Sequence, residues 1–359
     1  MHNQNGPEDL YIKGRGAQIN PPNRFHKASY VHNGRVWSDQ DETDALRQTQ
    51  YLETHPKTVL NKVKSPDLNF EYSMNPYQGC EHGCVYCYAR NTHSYWGFSA
   101  GIEFEQKILV KKNAPQLLEA KLKSKGWKAS PIMLSGNTDC YQPAEKEHML
   151  TRKMLEILLR YKHPVSLITK NALILRDLDL LEAMAKQRLV KVAISITTLN
   201  EDLRTRLEPR TATGKKRLDI VRKCSSVGIP VQVMAAPIIP SLNDHEINEI
   251  AKQSALAGAR NISYTLIRLN GDVGMIFRDW LQKNYPDRYD RVIHQIEACH
   301  GGQLSDSQFG RRMKGGGNFS EIINQQIRIA RKKHFEGGVL PPYNLTLYQN
   351  LKQPQLSLF

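Results

Sequence analysis

Residues 165–197 read VSLITKNALILRDLDLLEAMAKQRLVKVAISIT. Two short runs rich in apolar and β-branched residues, VSLIT and VKVAISIT, flank a stretch from Leu173 to Lys186 whose apolar residues recur at helical spacing. A strand, a helix and a second strand in that order form a βαβ unit, and its crossover makes the two strands parallel. The pattern extends outward in both directions. Upstream, PIMLSG (131–136) precedes a helical stretch from Glu145 to Tyr161. Downstream, Lys215 to Val227 leads into VQVMAAPII (231–239), His245 to Ala257 into ISYTLIRL (262–269), and a long helical segment follows around Phe277 to Cys299. With a first strand near Phe70 to Met74 the count is six strands, and the fold expected is α/β, a partial (β/α)6 TIM-type barrel. Such sheets bind ligands at the C-terminal ends of their strands, where the polar residues TDCYQ, TKN, TTLN and PSLND fall.

The flanks differ from this core. Residues 1–65 form a polar arm, rich in Asn, His, Gln and Asp, for which a flexible and a docked state are equally open, and order is expected from about Asn69. The core is expected over 66–272, a C-terminal helical extension over 273–335 with a helix from about Ser320 to His334, and a flexible tail over 336–359. The 359 residues carry 50 Lys+Arg against 35 Asp+Glu, a net charge of +15, and 40% are hydrophobic. No apolar run approaches the roughly 18 residues of a membrane span. The first twenty residues also lack the apolar block of a secretory signal, so the expected location is the cytoplasm, away from any membrane. Six cysteines are too few for a disulfide scaffold of this length, and three of them are clustered.

The clustered ones lie in NPYQGCEHGCVYCYAR (75–90), where Cys80, Cys84 and Cys87 are spaced C-x3-C-x2-C just after the first strand. Thiolates in so short a loop share one centre. A structural zinc site needs four ligands, and no second cysteine pair follows at suitable spacing, although His82 within the loop is available. A 4Fe-4S cluster normally takes four cysteines, so three leave one iron open to an exogenous ligand.

With the aromatic Tyr86 before the third cysteine and six βα units behind it, this motif resembles the radical S-adenosylmethionine (SAM) superfamily over roughly Asn69 to Asn270. That resemblance implies a 4Fe-4S cluster on Cys80, Cys84 and Cys87 whose open iron binds SAM. One electron, from a flavodoxin- or ferredoxin-type donor, then splits SAM to a 5′-deoxyadenosyl radical. It further implies SAM contacts from Tyr86, from Lys170 ending the third strand and from Ser195 on the fourth, although a lysine or serine at a strand end is often only a solvated cap. The family's Gly-Gly-Glu element is replaced by SGNTDC, which leaves Ser135, Thr138 or Asp139 in its role.

Within the superfamily, GCEHGCVYCYAR, SGNTDCYQPAE, LITKNALILRD, ISITTLNEDLRTRLEPR and APIIPSLND resemble spore photoproduct lyase and the DNA repair photolyase-like group. The likeness implies a lyase-type DNA repair or modification reaction, with Tyr88 relaying a hydrogen atom and Cys140 as hydrogen-atom donor. Cys140 follows Asp139, however, whereas the lyase cysteine precedes the corresponding turn, and a buried inert thiol is the competing reading. Cys224 and Cys299 read as packing residues.

The basic charge suits a polyanion. Arg311, Arg312 and Lys314 sit among glycines that let the backbone approach phosphates, whereas Arg331, Lys332 and Lys333 complement a helix dipole. The last five residues, Gln355, Leu356, Ser357, Leu358 and Phe359, match the bacterial sliding-clamp-binding pentapeptide at every position, which again points to DNA. An RNA or peptide substrate, or a non-catalytic Fe-S adaptor on DNA, remains open at this stage.

Overall fold

The computed structural model describes residues 11–25 and 48–352. The apolar runs pair in register: β6 (Ile132–Leu134), β7 (Val165–Thr169), β8 (Val190–Ser195), β9 (Val231–Ile238) and β10 (Asn261–Leu266) are parallel neighbours, and β3 (Tyr72–Met74) joins them beside β6. A further strand, β2 (Leu60–Lys62), pairs antiparallel to β3, giving a seven-stranded sheet in the order β10-β9-β8-β7-β6-β3-β2. The six parallel strands are those expected. β10 and β2 are the two edges, so the sheet is an open partial barrel rather than a closed one.

Helices cover the sheet because each presents an apolar stripe. Helix Leu150–Arg160, for example, buries Met154, Leu155, Ile157 and Leu158, and these join the core contributed by Leu134, Val165, Leu167, Val192 and Ile194. Burying one such aliphatic side chain contributes roughly 1.5–3 kcal/mol. Two expected helices are divided. A left-handed residue, Met149 (φ 52°), separates Glu145–His148 from Leu150–Arg160. The segment around Phe277 to Cys299 is two helices, Asp272–Asn284 and Tyr289–Cys299, broken where Tyr285 (φ −145°, ψ 57°) precedes Pro286. Proline cannot donate its N–H and pushes its predecessor out of the helical region.

Both flanks are more ordered than their composition suggests. Within the polar arm, β1 (Gln50–Thr54) pairs with β5 (Lys107–Lys111), which also pairs with β4 (Tyr77–Gln78) in a small second sheet. Order therefore begins well before Asn69. The described part of the expected flexible tail is also docked: Tyr348, on helix Thr346–Lys352, is buried and donates from its hydroxyl to the Leu122 carbonyl at 2.8 Å. A few aromatic anchors suffice to fasten an otherwise polar segment. No helix among the described residues is long and apolar enough to cross a membrane.

Candidate active site

The cysteine loop leaves β4 and is clamped from three sides. Behind it, the buried Arg90 donates from Nε to the Cys84 carbonyl at 2.9 Å and pairs with the Glu105 carboxylate, both side chains being 0% exposed. Glu105 also accepts from the backbone N–H groups of Gly16 at 3.0 Å and Ala17 at 2.8 Å, while the Arg15 guanidinium donates to the Glu105 carbonyl at 2.8 Å. The N-terminal segment is thus a strap across the back of the loop. Its approach is so close that a Cβ on Gly16 would lie 1.7 Å from the Gly83 carbonyl oxygen, and Gly83 itself needs φ 69°.

From the side, the loop after β6 braces the same cysteines. Gln142 accepts from the Glu81 N–H at 3.1 Å and donates to the Gly79 carbonyl at 3.1 Å, and Thr138 Oγ1 donates to the Tyr77 carbonyl at 2.6 Å. This loop begins at Ser135, a non-glycine residue at φ 70°, the conformation that turns the chain back across the strand end.

Ten of the eleven residues singled out in the sequence line one cavity of about 400 Å³ at the C-terminal end of the sheet. They are Cys80, Cys84, Cys87, Tyr86, Tyr88, Ser135, Thr138, Asp139, Lys170 and Ser195. The exception is Cys140. Its side chain belongs to the main hydrophobic core and is 0% exposed, its N–H donates to Ser135 Oγ at 2.7 Å, and it stands behind the cavity wall. A hydrogen-atom donor must touch the substrate radical, and Cys140 is not among the residues that line the cavity. Tyr88 remains on the wall, 54% exposed, its hydroxyl donating to the Gly136 carbonyl at 2.6 Å.

His82, the spare zinc ligand, is engaged elsewhere: Nδ1 lies 3.4 Å from Asp139 and Nε2 3.1 Å from the Asn171 amide. Burial holds the His82 imidazole below its ordinary pKa despite Asp139. Asp139 in turn accepts from Thr169 Oγ1 at 2.8 Å and from the Lys170 N–H at 2.9 Å, so it ties two strand ends together.

Beneath the cysteines is a charged hub that sequence reading missed. Glu208 and Arg217 form an ion pair at 2.5 Å with both side chains 0% exposed, and the Tyr86 hydroxyl also donates to Glu208. Burial alone would raise the Glu208 carboxyl, but Arg217 and Lys170 outweigh it and hold it at about 2. Burial likewise opposes the charge on Lys170, and Glu208 with Cys84 more than offsets this, so its pKa is raised. Lys170 Nζ lies 5.9 Å from the Tyr86 ring centroid. The site therefore presents a retained cation and an aromatic face beside the thiols. Glu208 lies within LNEDLRTRLEPR, but only the fold reveals that its charge is buried.

The donor set fits an iron-sulfur cluster. Burial pushes all three thiols above their ordinary range, so their deprotonation would come from the charge of a bound metal. Lys170, Ser195 and Tyr86 line the same cavity as the thiols.

Comparison with known proteins agrees with this geometry. The family model of the radical SAM superfamily matches residues 74–253. An uncharacterised protein of Mycobacterium tuberculosis is 34% identical over 238 residues, 66% of this chain and 70% of that protein. One from Methanocaldococcus jannaschii is 29% identical over 249 residues, 68% of this chain and 88% of that protein. Among solved structures, spore photoproduct lyase complexed with dinucleoside spore photoproduct superposes with a TM-score of 0.58 at 15% identity, covering 80% of each chain. A variant of that lyase with bound SAM and the same dinucleoside gives 0.58 at 15% identity and the same coverage. The fold is shared with the lyase at an identity too low to transfer its substrate. Members of the matched superfamily bind a 4Fe-4S cluster and SAM, and by motif, cavity and family model this chain belongs to the radical SAM superfamily.

Proposed function

We propose that the chain abstracts a hydrogen atom from a nucleic-acid component, in a lyase-type repair or modification reaction on DNA. When bound, the cluster and SAM supply the 5′-deoxyadenosyl radical; the protein's share is to hold SAM, exclude water and position the substrate. One observation carries the reading: the cavity that gathers the three cysteines and Lys170 is lined at its mouth by Arg268 and Arg312, so radical chemistry and anion recognition share one space. The structural relative holds a dinucleoside photoproduct, and the net charge of +15 favours a polyanion.

The test is anaerobic reconstitution followed by incubation with SAM, dithionite and UV-damaged DNA, reading 5′-deoxyadenosine and DNA products together. Nucleic-acid-dependent turnover with altered DNA supports the reading. Turnover indifferent to DNA moves the substrate to RNA or peptide, and no SAM cleavage at all leaves an Fe-S adaptor.

Hydrogen return falls to Tyr88, whose O–H is held at the cavity wall. Tyr88→Phe is expected to keep SAM cleavage but shift the substrate radical to side products, whereas Cys140→Ala leaves the product ratio unchanged. Chromatography of the nucleoside products decides: a Cys140-dependent ratio with Tyr88→Phe unaffected would reverse the assignment.

Delivery to DNA is assigned to the pentapeptide Gln355 to Phe359, which lies outside the described residues. Such segments bind through a few apolar anchors, here Leu356, Leu358 and Phe359. Deleting the five residues should abolish binding to the cognate clamp and leave SAM cleavage intact. Equal clamp affinity in a surface-plasmon titration of both forms refutes this.

A further inference from the structure

The open partial barrel has a clasp. The loop 306–315 pairs with one sheet edge, where the Leu266 N–H donates to the Met313 carbonyl at 2.9 Å. It is also tied beside the other edge, where Asp67, in the turn between β2 and β3, accepts from the Gly310 N–H at 2.6 Å and pairs with Arg312. Arg312 Nη2 donates to Ser65 Oγ at 2.5 Å, and its guanidinium lies 4.4 Å from the Phe309 ring centroid. The clasp therefore crosses the lateral opening of the sheet, and its Arg312 faces the cavity.

Arg268, just beyond β10, lines the same mouth and is poorly partnered. Its Nη1 reaches only the Met313 sulfur at 3.8 Å and its Nη2 only the Asp306 carbonyl at 3.3 Å, and its Nε is buried without a partner among the described residues. Burial and the neighbouring Arg312 both lower its pKa, as expected of a guanidinium short of counter-charge. Locally Arg268, Arg311 and Arg312 face two carboxylates, Asp67 and Asp306, and Asp306 is paired with Arg311. One positive charge is left over at the mouth.

We propose that Arg268 and Arg312 form a binding site for a phosphodiester of the nucleic-acid substrate, and that the Asp67 carboxylate occupies the Arg312 side of that site until the phosphate arrives. The assignment rests on the nucleic-acid reading above and adds which residues meet the backbone. A guanidinium fork matches phosphate oxygens as well as carboxylate oxygens, so the exchange preserves Arg312's bonds while giving Arg268 the partner it lacks. Because the Asp67–Arg312 pair is also the clasp, phosphate capture loosens the lateral opening through which a strand or an extruded base enters.

The experiment is a fluorescence-anisotropy titration of the full chain with a labelled single-stranded oligonucleotide at several salt concentrations. Arg268→Gln is expected to weaken binding about 10-fold and to reduce the slope of log K against log salt by about 0.7. Arg268→Lys, which keeps the charge and loses the fork, should keep the slope and lose less affinity. Asp67→Asn should strengthen binding several-fold by removing the internal competitor. Binding by the unmodified chain with Arg268→Gln unchanged in affinity and slope overturns the phosphate site alone, as does weaker binding by a folded Asp67→Asn. No binding by the unmodified chain overturns both this site and the nucleic-acid reading.

Discussion

Cys80→Ala, Cys84→Ala and Cys87→Ala should each lose bound iron and SAM cleavage together, with 5′-deoxyadenosine formation falling by more than about 100-fold. The cause is the donor set: only three thiols line the cavity, and His82 cannot replace one because Asp139 and Asn171 engage its two ring nitrogens. Burial raises the pKa of every thiol in the site, so each thiolate depends on the metal's charge, and two thiolates leave the cluster one protein ligand short. Iron and sulfide per chain, visible absorption and 5′-deoxyadenosine yield measure the loss, with Cys224→Ala as the control that retains all three. A single cysteine variant that keeps its iron and its turnover, or an anaerobically purified wild-type chain filled with zinc, would contradict the assignment.

Glu105→Gln is expected to have the second large effect, on stability and on cluster loading at once. The carboxylate neutralises Arg90 and accepts two backbone N–H groups from the strap, all in a site from which water is excluded. Removing one member of a buried ion pair costs about 3–5 kcal/mol, because the other charge stays buried without its partner. In a chain of this size that lowers the melting midpoint by roughly 5–10 °C. Arg90 also holds the Cys84 carbonyl, so the cysteine loop loses its backing and iron incorporation should fall in parallel. Calorimetry of the metal-free protein separates the two effects: an unchanged midpoint with normal iron content would show that the strap and its carboxylate do not position the loop. Arg15→Gln, on the same strap, should move both readouts in the same direction by a smaller amount, since it leaves the Arg90–Glu105 pair whole.

Five of the six parallel strands, β6 to β10, were legible because each is an apolar run with β-branched residues, ended by polar residues and followed by an amphipathic helix, and both signals are local in the chain. The cysteine triplet was legible for the same reason, since three ligands within eight residues reach one centre whatever the rest of the chain does. Lys170 and Ser195 came from the family resemblance, and their strand-end positions agree with it, because residues ending parallel strands of an open sheet face its ligand-binding end.

What only the tertiary structure decided depends on contacts between residues far apart in sequence. Cys140 sits one residue from the cavity-lining Asp139, yet the turn begun at Ser135 sends its side chain into the core, and no spacing rule reports which way a loop residue faces. The polar composition of the arm concealed that Gly16 and Ala17 donate to the Glu105 carboxylate, and Arg15 to its backbone carbonyl, about ninety positions away. The Glu208–Arg217 pair spans the end of one helix and the start of the next, and only the fold buries both charges together. Arg312 was legible as a cation in a glycine-rich stretch, but its pairing with Asp67, 245 positions away, and its place at the cavity mouth beside Arg268 exist only once the sheet has curled and brought its two edges within reach of one loop. Local sequence determined the elements and brought the three cysteines into one loop, because hydrophobic periodicity and residue spacing act over a few residues. Burial, charge pairing and the direction each side chain faces were decided by packing, because they are properties of neighbours that the linear chain does not hold together.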